Sequence, residues 1–577
     1  MKFIRAAYVG DPFRLWSVVM PILLAFGFWW TQALYGFAPV DDGAMLAQAW
    51  RIAEFQIPHV DFDSIRPTGS ALLHAPLTLL PWGMLAIDRL IVVLQLLWVM
   101  VAGVSLLDPH RRLTPLQAFA LVAISFFIGI GTWPVMAWHT IDGLFIGMTA
   151  VWLAARPIWN REGLRWSLVW LLAGFAPLTK QGFGIVPLAV LLVIVGMKRW
   201  KGLLWLPLGL TPGLLYLVLT WGAPGSAIGQ ITRTSSPGET FTSLWSFLAY
   251  VQSLEGVLVV GLTVAALVAA TSTSIGLRQR VLVSSALYIS ASLWPAFTDR
   301  LDVYTPWSFA TVVSVALVAT ITCRSRRQLT VTAAFLVLAY SVSVSRGVDN
   351  PGLMAGLLFV TGLLLLLRVA AREQETVSQS RAVRKREARP YVTILIVLLA
   401  VFSLGLSWIS RAAWVFAEPP RAQLTASVDH PSFALIRMSE RTSAYVDSVI
   451  ACIGRYPAKR TAVIPDGPAL YALFQLDNPF RTDWFAPGEI DYYRTGEGEA
   501  VHAANVNATI EELNASEDWL VLMQTRPFNF ITTPEEAVDP IEPVAYWPND
   551  ETIIDRLQGQ SVSCGSLIGK YRPASGA

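Results

Sequence analysis

The chain has 577 residues, of which 54% are hydrophobic and 14% are charged, whereas soluble proteins are typically about 45–50% apolar and about 25% charged. This composition excludes a soluble enzyme. Residues 1–410 carry 30 Lys and Arg against 18 Asp and Glu, a net charge of +12, whereas residues 411–577 carry 13 against 22, a net charge of −9. Because the acidic part is the water-soluble one, the sequence also excludes a uniformly basic nucleic-acid-binding protein, and we expect no nucleic acid partner.

Apolar segments recur from the N-terminus to residue 410. A helix needs about 20 residues to cross the ~30 Å hydrocarbon core of a bilayer, and we predict thirteen membrane-spanning helices. They cover residues 15–35, 85–107, 116–132, 140–155, 166–179, 183–197, 202–222, 246–270, 282–298, 308–322, 330–345, 353–370 and 391–410. The fifth and sixth segments could instead form one re-entrant hairpin, which leaves the parity of the crossings unchanged. Trp29 and Trp30 stand where a cleavable signal peptide would have small residues, so we expect the first segment to remain in the protein.

Lys and Arg residues collect in alternate loops, and positively charged loops are retained in the cytoplasm. The basic groups are Lys2, Arg5 and Arg14; Arg111 and Arg112; Arg156, Arg161 and Arg165; Lys198, Arg199 and Lys201; Arg278 and Arg280; Arg324, Arg326 and Arg327; and the cluster 381–389. We therefore predict a multi-pass α-helical protein of the cytoplasmic (inner) membrane. Its N-terminus would be cytoplasmic, residues 1–410 would form the membrane domain, and residues 411–577 would lie outside.

The first outside loop, residues 36–84, holds a dense set of ionisable side chains. They are Asp41, Asp42, His59, Asp61, Asp63, Arg66 and His74. The spacing of apolar residues predicts a helix over 43–55 that lies in the interface with its apolar face toward the membrane. An aspartate that precedes a helix can cap its first turn, which would explain one of the two adjacent acids. A second carboxylate at the mouth of a membrane domain needs another purpose, so we favour a functional role for the pair.

Residues 411–577 are predicted to form an α/β domain. Segments 460–465 and 519–524 have the pattern of buried strands, and segments 435–452 and 506–517 have helical patterns, the second with Asn505 as its N-cap. We find no catalytic signature there and expect a lid or docking module. Cys452 and Cys564 are predicted to form a disulfide, because an extracytoplasmic compartment is oxidising, whereas Cys323 is predicted to be a free cytoplasmic thiol.

The order of these motifs resembles that of the C-type (GT-C) superfamily of glycosyltransferases that use lipid-linked sugars. The protein O-mannosyltransferases and the lipid A aminoarabinose transferase belong to it. The similar segments are Asp41-Asp42-Gly43 after the first helix, residues 57–63 (IPHVDFD), residues 66–69 (RPTG), residues 178–181 (LTKQ) and residues 465–482. This chain departs from the family pattern in two ways, because it has RPTG in place of a double proline and an aspartate rather than a glutamate at 42. The subgroup therefore stays open.

The resemblance implies a GT-C-like fold and an inverting transfer of a sugar from a polyprenyl-phosphate donor to an acceptor hydroxyl at the outer face of the membrane. The acceptor would be a cell-envelope glycan, a glycolipid or a protein. A hydroxyl is a poor nucleophile, so a carboxylate must take its proton. Asp41 matches the first acid of the family motif and is the predicted base, and Asp42 would orient it or bind the acceptor. Asp63, Asp61 and His59 are further predicted substrate-binding residues.

The lipid phosphate that leaves in this reaction calls for cations near the interface. Arg66 stands where the aminoarabinose transferases have a lysine and is the first candidate. Lys180 is the second, with snorkelling of its ammonium group to lipid headgroups as the alternative. Arg300 could contact phosphate or pair with the aspartates beside it. His139 could bond phosphate or play a structural part beside its neighbouring tryptophan.

We predict no required cofactor. Asp41, Asp42 and Asp63 could hold a hard divalent cation through oxygen ligands, but an Arg/Lys clamp makes a metal less necessary. The alternative function is a transporter or flippase of lipid-linked sugar intermediates, which predicts buried charges at mid-bilayer, and Glu255 is the main candidate for such a charge. A non-catalytic assembly protein that used its tail as a receptor would tolerate substitution in the first loop.

Overall fold

A computed structural model describes residues 12–575 except 110–111, 132, 157–160, 224–226, 234–236, 273, 299–305, 345–349, 373–380, 414, 466, 484–496 and 525–549. The described chain is mostly helical and has one small sheet near its C-terminus. Arg300, one of the predicted phosphate-binding residues, lies outside the described residues.

Helices occupy the apolar segments that the sequence analysis singled out. In chain order they are α1 (Pro12–Phe28), α2 (Asp41–Ala53), α3 (Gly69–His74), α4 (Met84–Leu107), α5 (Pro115–Ile130), α6 (His139–Ala155), α7 (Glu162–Thr179), α8 (Val186–Gly196), α9 (Thr211–Leu219), α10 (Ala227–Arg233), α11 (Pro237–Gln252), α12 (Leu254–Thr271), α13 (Leu277–Thr298), α14 (Phe309–Thr322), α15 (Arg326–Ser343), α16 (Gly352–Arg372) and α17 (Arg381–Ala413). A π-helical turn (Trp29–Ala33) extends α1, and 3₁₀ turns precede α8 (Gln181–Ile185), α9 (Trp200–Leu210) and α14 (Pro306–Ser308).

Five helices among the described residues are long and apolar enough to cross a membrane. They are Met84–Leu107, Trp200–Leu219, Leu254–Thr271, Gly352–Ala370 and Pro390–Ala413. Five shorter apolar helices accompany them, namely Val19–Ala33, Pro115–Ile130, His139–Ala155, Gln181–Gly196 and Phe309–Thr322. Side chains of α1, α4–α8 and α12–α17 share one large apolar core. Thirteen crossings and their direction stay predictions.

Glu255 occupies a different place from the one that the transporter hypothesis gave it. Ser253 caps α12 by accepting a hydrogen bond from the Gly256 N–H, so the predicted segment 246–270 is divided between α11 and α12. Glu255 consequently lies in the first turn of α12, where its charge complements the helix dipole, and Tyr250 donates a hydrogen bond to its carboxylate at 3.0 Å. It is not a mid-helix charge.

The tail contains α18 (Glu440–Arg455), β1 (Arg460–Ile464), α19 (Pro468–Leu473), α20 (Glu497–Ala515), β2 (Trp519–Gln524), α21 (Asp550–Arg556), β3 (Gln560–Cys564) and β4 (Leu567–Arg572). The two predicted strands are confirmed as β1 and β2, which pair in parallel with Arg460 opposite Trp519. Two antiparallel strands complete the sheet in the order β1-β2-β4-β3. Cys452 of α18 and Cys564 of β3 form a disulfide with their Cα atoms 5.7 Å apart. The predicted N-cap at Asn505 is wrong, because α20 begins at Glu497 and Asn505 lies inside it.

The apolar face of α2 packs against the tail rather than facing the membrane, contrary to the prediction. Leu46 and Trp50 belong to a core that also contains Tyr471 and Leu473 of the tail. A Cβ atom at Gly43 would lie 1.8 Å from the backbone nitrogen of Ala469, so glycine permits this close approach. The tail thus forms part of the surroundings of the first loop.

Candidate functional site

Both acidic residues of the first motif lie inside α2, since the helix begins at Asp41 and its N-cap position is Val40. No side chain caps this N-terminus. The expectation that the two aspartates precede the helix is therefore wrong by two residues. Their charges still complement the positive end of the helix dipole, which acts over the whole first turn.

Asp42 is buried and committed to a structural ion pair. Its carboxylate accepts hydrogen bonds from Nη2 of Arg89 at 3.0 and 3.1 Å and from the Ala38 N–H at 2.9 Å. Arg89 also donates to the carbonyl groups of Ala33 and Gly36, each at 2.8 Å. Burial raises the pKa of the Asp42 carboxyl group, and Arg89 and the Ala38 N–H offset only part of this effect. Asp42 therefore fixes the start of α2, and it is closed to an acceptor in this structure.

Asp41 lies on a different, partly exposed face of α2. Residues 41, 44 and 48 share this face at helical spacing, and all three are half-buried. Gln48 donates a hydrogen bond to Oγ of Ser64 at 3.2 Å, and Ser64 donates to the carbonyl oxygen of Arg66 at 2.8 Å. The partly exposed face of α2 is thus tied to the Arg66 segment. Asp41 is about 10 Å from Gln48 along the helix axis, at roughly 1.5 Å per residue.

Arg66, His139 and Lys180 form a cationic cluster. Nη1 of Arg66 lies 3.0 Å from Nε2 of His139, and both Arg66 and Lys180 are close enough to act electrostatically on the imidazole. Nζ of Lys180 donates to Oγ1 of Thr140 at 3.0 Å, although only 4% of the lysine residue is exposed. A guanidinium can only donate, so the histidine nitrogen that faces it must accept. Trp138 stacks on the histidine ring with 5.2 Å between ring centroids.

Backbone packing brings the RPTG and LTKQ segments together. A Cβ atom at Gly69 would lie 2.6 Å from the carbonyl oxygen of Leu178, so only glycine fits at this crossing. Nε2 of Gln181 donates to the carbonyl oxygen of Ile65 at 3.1 Å. Two of the motifs that carried the family resemblance, more than a hundred residues apart, therefore meet beside His139.

His59 and Asp61, two further predicted substrate-binding residues, have structural partners. His59 is buried, with Nδ1 2.8 Å from Gln230 Oε1 and Nε2 2.7 Å from Tyr216 Oη. Burial lowers the pKa of His59, which favours a neutral imidazole. Asp61 is exposed and accepts a hydrogen bond from the Ile57 N–H at 2.6 Å, which closes a local turn.

Asp63 connects the first loop to the tail. It forms an ion pair with Arg481, whose Nη2 lies 3.0 Å from Oδ1, and its Oδ2 accepts a hydrogen bond from Asn505 at 3.2 Å. Nearby, Arg51 donates to Asp483 at 2.7 Å and to the carbonyl oxygen of Phe480 at 2.5 Å. These contacts dock the tail on the first loop through the carboxylate of Asp63.

A buried polar network next to the cationic cluster was not predicted from the sequence. Nδ1 of His74 lies 2.5 Å from Oδ1 of Asp88, and its Nε2 lies 3.2 Å from Oδ2 of Asp142. Ser70 and Gln95 also donate hydrogen bonds to Asp142, the latter at 2.7 Å. Burial acts to lower the pKa of His74, but the carboxylates of Asp142 and Asp88 outweigh it and hold that pKa well above its usual value.

The network fixes the geometry of the cationic cluster. Ser70 follows the RPTG segment in α3, and Asp142 lies one turn beyond His139 in α6. Their hydrogen bond therefore sets the position of Arg66 relative to His139. The signal in the sequence was an acidic residue in each of two predominantly apolar helices, Asp88 in α4 and Asp142 in α6. Acids within segments predicted to span a membrane indicate function or pairing.

The described residues contain no group of three or more His, Cys, Asp or Glu that could hold a metal ion. Asp41, Asp42 and Asp63 do not come together as a ligand set, because Asp42 and Asp63 are each paired with an arginine. No protein-family model matches the chain, and no curated protein matches it at a significant level. The functional assignment therefore depends on the residues and their geometry.

Proposed function

We propose that this protein is an inverting membrane glycosyltransferase that moves a sugar from a polyprenyl-phosphate donor to an acceptor hydroxyl. The acceptor would be a cell-envelope glycan, a glycolipid or a protein. The observation that carries the proposal is that Arg66, His139 and Lys180 lie close together. Their cluster is linked through Ser64 to Gln48, on the half-buried face of α2 that also bears Asp41. This arrangement supplies cations for a leaving phosphate and a carboxylate for an attacking hydroxyl.

In the proposed reaction the acceptor oxygen loses its proton to the carboxylate of Asp41 and forms a bond to the anomeric carbon. The bond between that carbon and the phosphate oxygen breaks on the opposite face of the sugar, so the configuration inverts. The electron pair of this bond leaves with the polyprenyl phosphate, whose charge Arg66 and Lys180 neutralise.

Asp42 and His74 have positioning roles in this proposal. The ion pair of Asp42 with Arg89 fixes the first turn of α2, and so the orientation of its neighbour Asp41. The His74 network fixes the RPTG segment against the start of α6. Neither residue needs to touch the substrate. We assign no step to a metal ion.

The proposal includes a GT-C-like membrane domain in the cytoplasmic membrane. Thirteen crossings with a cytoplasmic N-terminus would place the first loop and the tail on the outer side. The alternation of basic loops supports this orientation, and the disulfide between Cys452 and Cys564 is consistent with an oxidising compartment for the tail. Donor and acceptor would then meet at the outer membrane surface.

A transporter or flippase of lipid-linked sugars is the second candidate, and the buried ionisable network favours it specifically. Asp88 and Asp142 lie within helices of the membrane domain, and proton-coupled transporters use such groups. Asp142, however, lies in the first turn of α6, and Asp88 is the fifth residue of α4, so neither is at the centre of its helix. A flippase would move a labelled polyprenyl-phosphate sugar across a proteoliposome bilayer in the absence of any acceptor.

The experiment that separates the two functions uses the purified full chain in proteoliposomes. A panel of polyprenyl-phosphate sugars, each radiolabelled in its sugar, is supplied with a membrane extract as the source of acceptors. The glycosyltransferase proposal predicts that label from at least one donor enters acceptor material and that free polyprenyl phosphate is released in equal amount. Movement of intact donor without release of polyprenyl phosphate would favour the flippase instead.

A further inference from the structure

A second group of cationic and polar side chains lies where α17 ends against α1 and α5. Arg411, in the last turn of α17, donates hydrogen bonds through Nη2 to the carbonyl oxygens of Ile130, at 2.8 Å, and Trp133. Its guanidinium also lies over the ring of Phe28, 5.3 Å from the centroid. These partners are neutral, so they satisfy donors without balancing the charge.

No ion pair between described residues includes Arg411. The charged group that acts on it most directly is a second guanidinium, that of Arg89, whose own carboxylate partner is Asp42. A charged group removed from water is costly unless an opposite charge accompanies it. An anion is therefore the ligand that this environment favours.

Buried polar atoms without partners adjoin this arginine. Ser407 is one helical turn before Arg411, only 3% exposed, and its hydroxyl has no partner among the described residues. The hydroxyl oxygen is 3.2 Å from the position that a Cβ atom would take at Gly131, so it lies beside the residue that follows Ile130, whose carbonyl group Arg411 binds. Trp133 is 2% exposed, and its indole N–H likewise has no partner among the described residues. These are donors that a phosphate oxygen could use.

A second arginine flanks the same helix end. The guanidinium of Arg421 lies 4.2 Å from the ring centroid of Tyr35 and 5.2 Å from that of Trp408. Trp408 is 43% exposed and follows Ser407 in α17. Tryptophan and tyrosine are the residues enriched at headgroup depth in membrane proteins. The group therefore combines a buried guanidinium, a hydroxyl and a flanking surface cation.

We propose that Arg411, Ser407 and Arg421 bind the phosphate group of an anionic phospholipid in the outer leaflet. Phosphate oxygens would accept hydrogen bonds from the Ser407 hydroxyl and from the remaining N–H groups of Arg411, while Arg421 supplies long-range attraction. This lipid site is separate from the cluster at Arg66, and it does not depend on sugar transfer. Its occupant would hold the end of α17, where the membrane domain joins the tail, at a fixed depth in the bilayer.

The test measures retained lipid rather than activity. The full chain is reconstituted in nanodiscs of phosphatidylcholine with phosphatidylglycerol, extracted in mild detergent, and analysed by native mass spectrometry. We expect phosphatidylglycerol to stay bound to the native protein and to be lost about tenfold or more readily from the R411Q/R421Q double variant. The S407A variant removes one hydroxyl group and is compatible with the helix. We expect it to retain several-fold less phosphatidylglycerol than the native protein. The R455Q variant, which replaces an exposed arginine in the last turn of α18, should retain as much lipid as the native protein.

Equal retention of phosphatidylglycerol by the native protein, the double variant and S407A would overturn the proposal. If the double variant fails to fold, the comparison of retained lipid between S407A and the native protein decides. A separate arm replaces the lipid with inorganic phosphate and follows the thermal unfolding midpoint. Stabilisation by phosphatidylglycerol but not by equimolar phosphate supports a lipid site, whereas equal stabilisation by both would overturn the assignment to a lipid.

Discussion

Arg66 and His139 are 73 residues apart in the sequence, and their side chains lie 3.0 Å apart. The contact joins the first loop, residues 36–84, to the start of α6, next to Lys180. Because arginine only donates hydrogen bonds, the contact requires a neutral histidine. Arg66 and Lys180 therefore supply two cationic groups beside this ring, and a phosphate is a ligand that such groups can bind.

Replacing the cations of this cluster should weaken binding of a polyprenyl phosphate. Arg66→Gln and Lys180→Gln should each lower the affinity for decaprenyl phosphate by about tenfold or more, because a charge-assisted contact is lost. Arg66→Lys keeps the positive charge and should therefore retain part of the affinity that Arg66→Gln loses. Titration of the purified protein with this lipid, followed by native mass spectrometry, measures the effect. Lys201→Gln, an exposed cation elsewhere in the chain, is the matched control, and an unchanged affinity in both cluster variants would refute the phosphate role.

The His74 network should make stability depend on pH. The pKa of His74 is well above its ordinary value of 6.5, so its protonated form stabilises the fold. This contribution is complete below about pH 6.5, declines as the pH rises, and disappears beyond the pKa of the folded protein. The difference in free energy of unfolding between the native protein and His74→Gln should therefore shrink from pH 6 to pH 10. Thermal unfolding of both proteins in the same detergent tests this, and a difference that grew with pH would contradict it.

The buried ion pair between Arg51 and Asp483 should hold the tail on the first loop. Both side chains are less than a tenth exposed, and removing one partner of such a pair leaves an uncompensated charge. Arg51→Ala should destabilise the tail by about 3–5 kcal/mol, whereas Arg460→Ala, which breaks a pair with the exposed Glu512, should cost about 0–1 kcal/mol. Limited proteolysis in urea compares the stability of the tail in the two variants. Equal resistance of both variants would show that Arg51 does not hold the tail.

The sequence predicted the local motifs of the candidate site more successfully than the tertiary partners of their side chains. Asp41-Asp42-Gly43, RPTG and LTKQ were recognised as local patterns. The first begins α2, RPTG ends at the first residue of α3, and LTKQ begins at the end of α7. The ion pair of Asp42 with Arg89 and that of Asp63 with Arg481 were not predicted, because each joins residues of distant segments. An acid in a dense polar loop can face a substrate or a partner in the tail, and only tertiary packing decides between them.

The same limit applies to the tail and to α2. β1 and β2 are continuous apolar runs, whereas β3 and β4 (QSVSC and LIGKYR) mix polar and apolar residues and give a weak strand signal. The amphipathic pattern of α2 correctly indicated a helix with one apolar face. It could not tell whether a membrane or a protein domain covers that face, since both are apolar environments. The tail covers it.

The predicted orientation can be tested with single cysteines. In a Cys323→Ser background, a membrane-impermeant maleimide added to intact cells should label Glu511→Cys in α20 but not Arg324→Cys after α14, both of which are exposed positions. The disulfide keeps Cys452 and Cys564 unreactive. Permeabilised cells, in which both sites should react, provide the control. Labelling of Arg324→Cys in intact cells would place that loop outside and reverse the orientation.

The most direct test of the central claim is the rate of sugar transfer in the Asp41→Asn variant. Asparagine keeps the shape of the side chain but cannot accept the proton of the acceptor hydroxyl, so transfer should fall by about 10²–10⁴-fold while decaprenyl phosphate still binds. Glu54→Gln makes the same chemical change at an exposed acid beyond the end of α2 and should leave the rate unchanged. Transfer by Asp41→Asn at the rate of the native protein would contradict the assignment of Asp41 as the base.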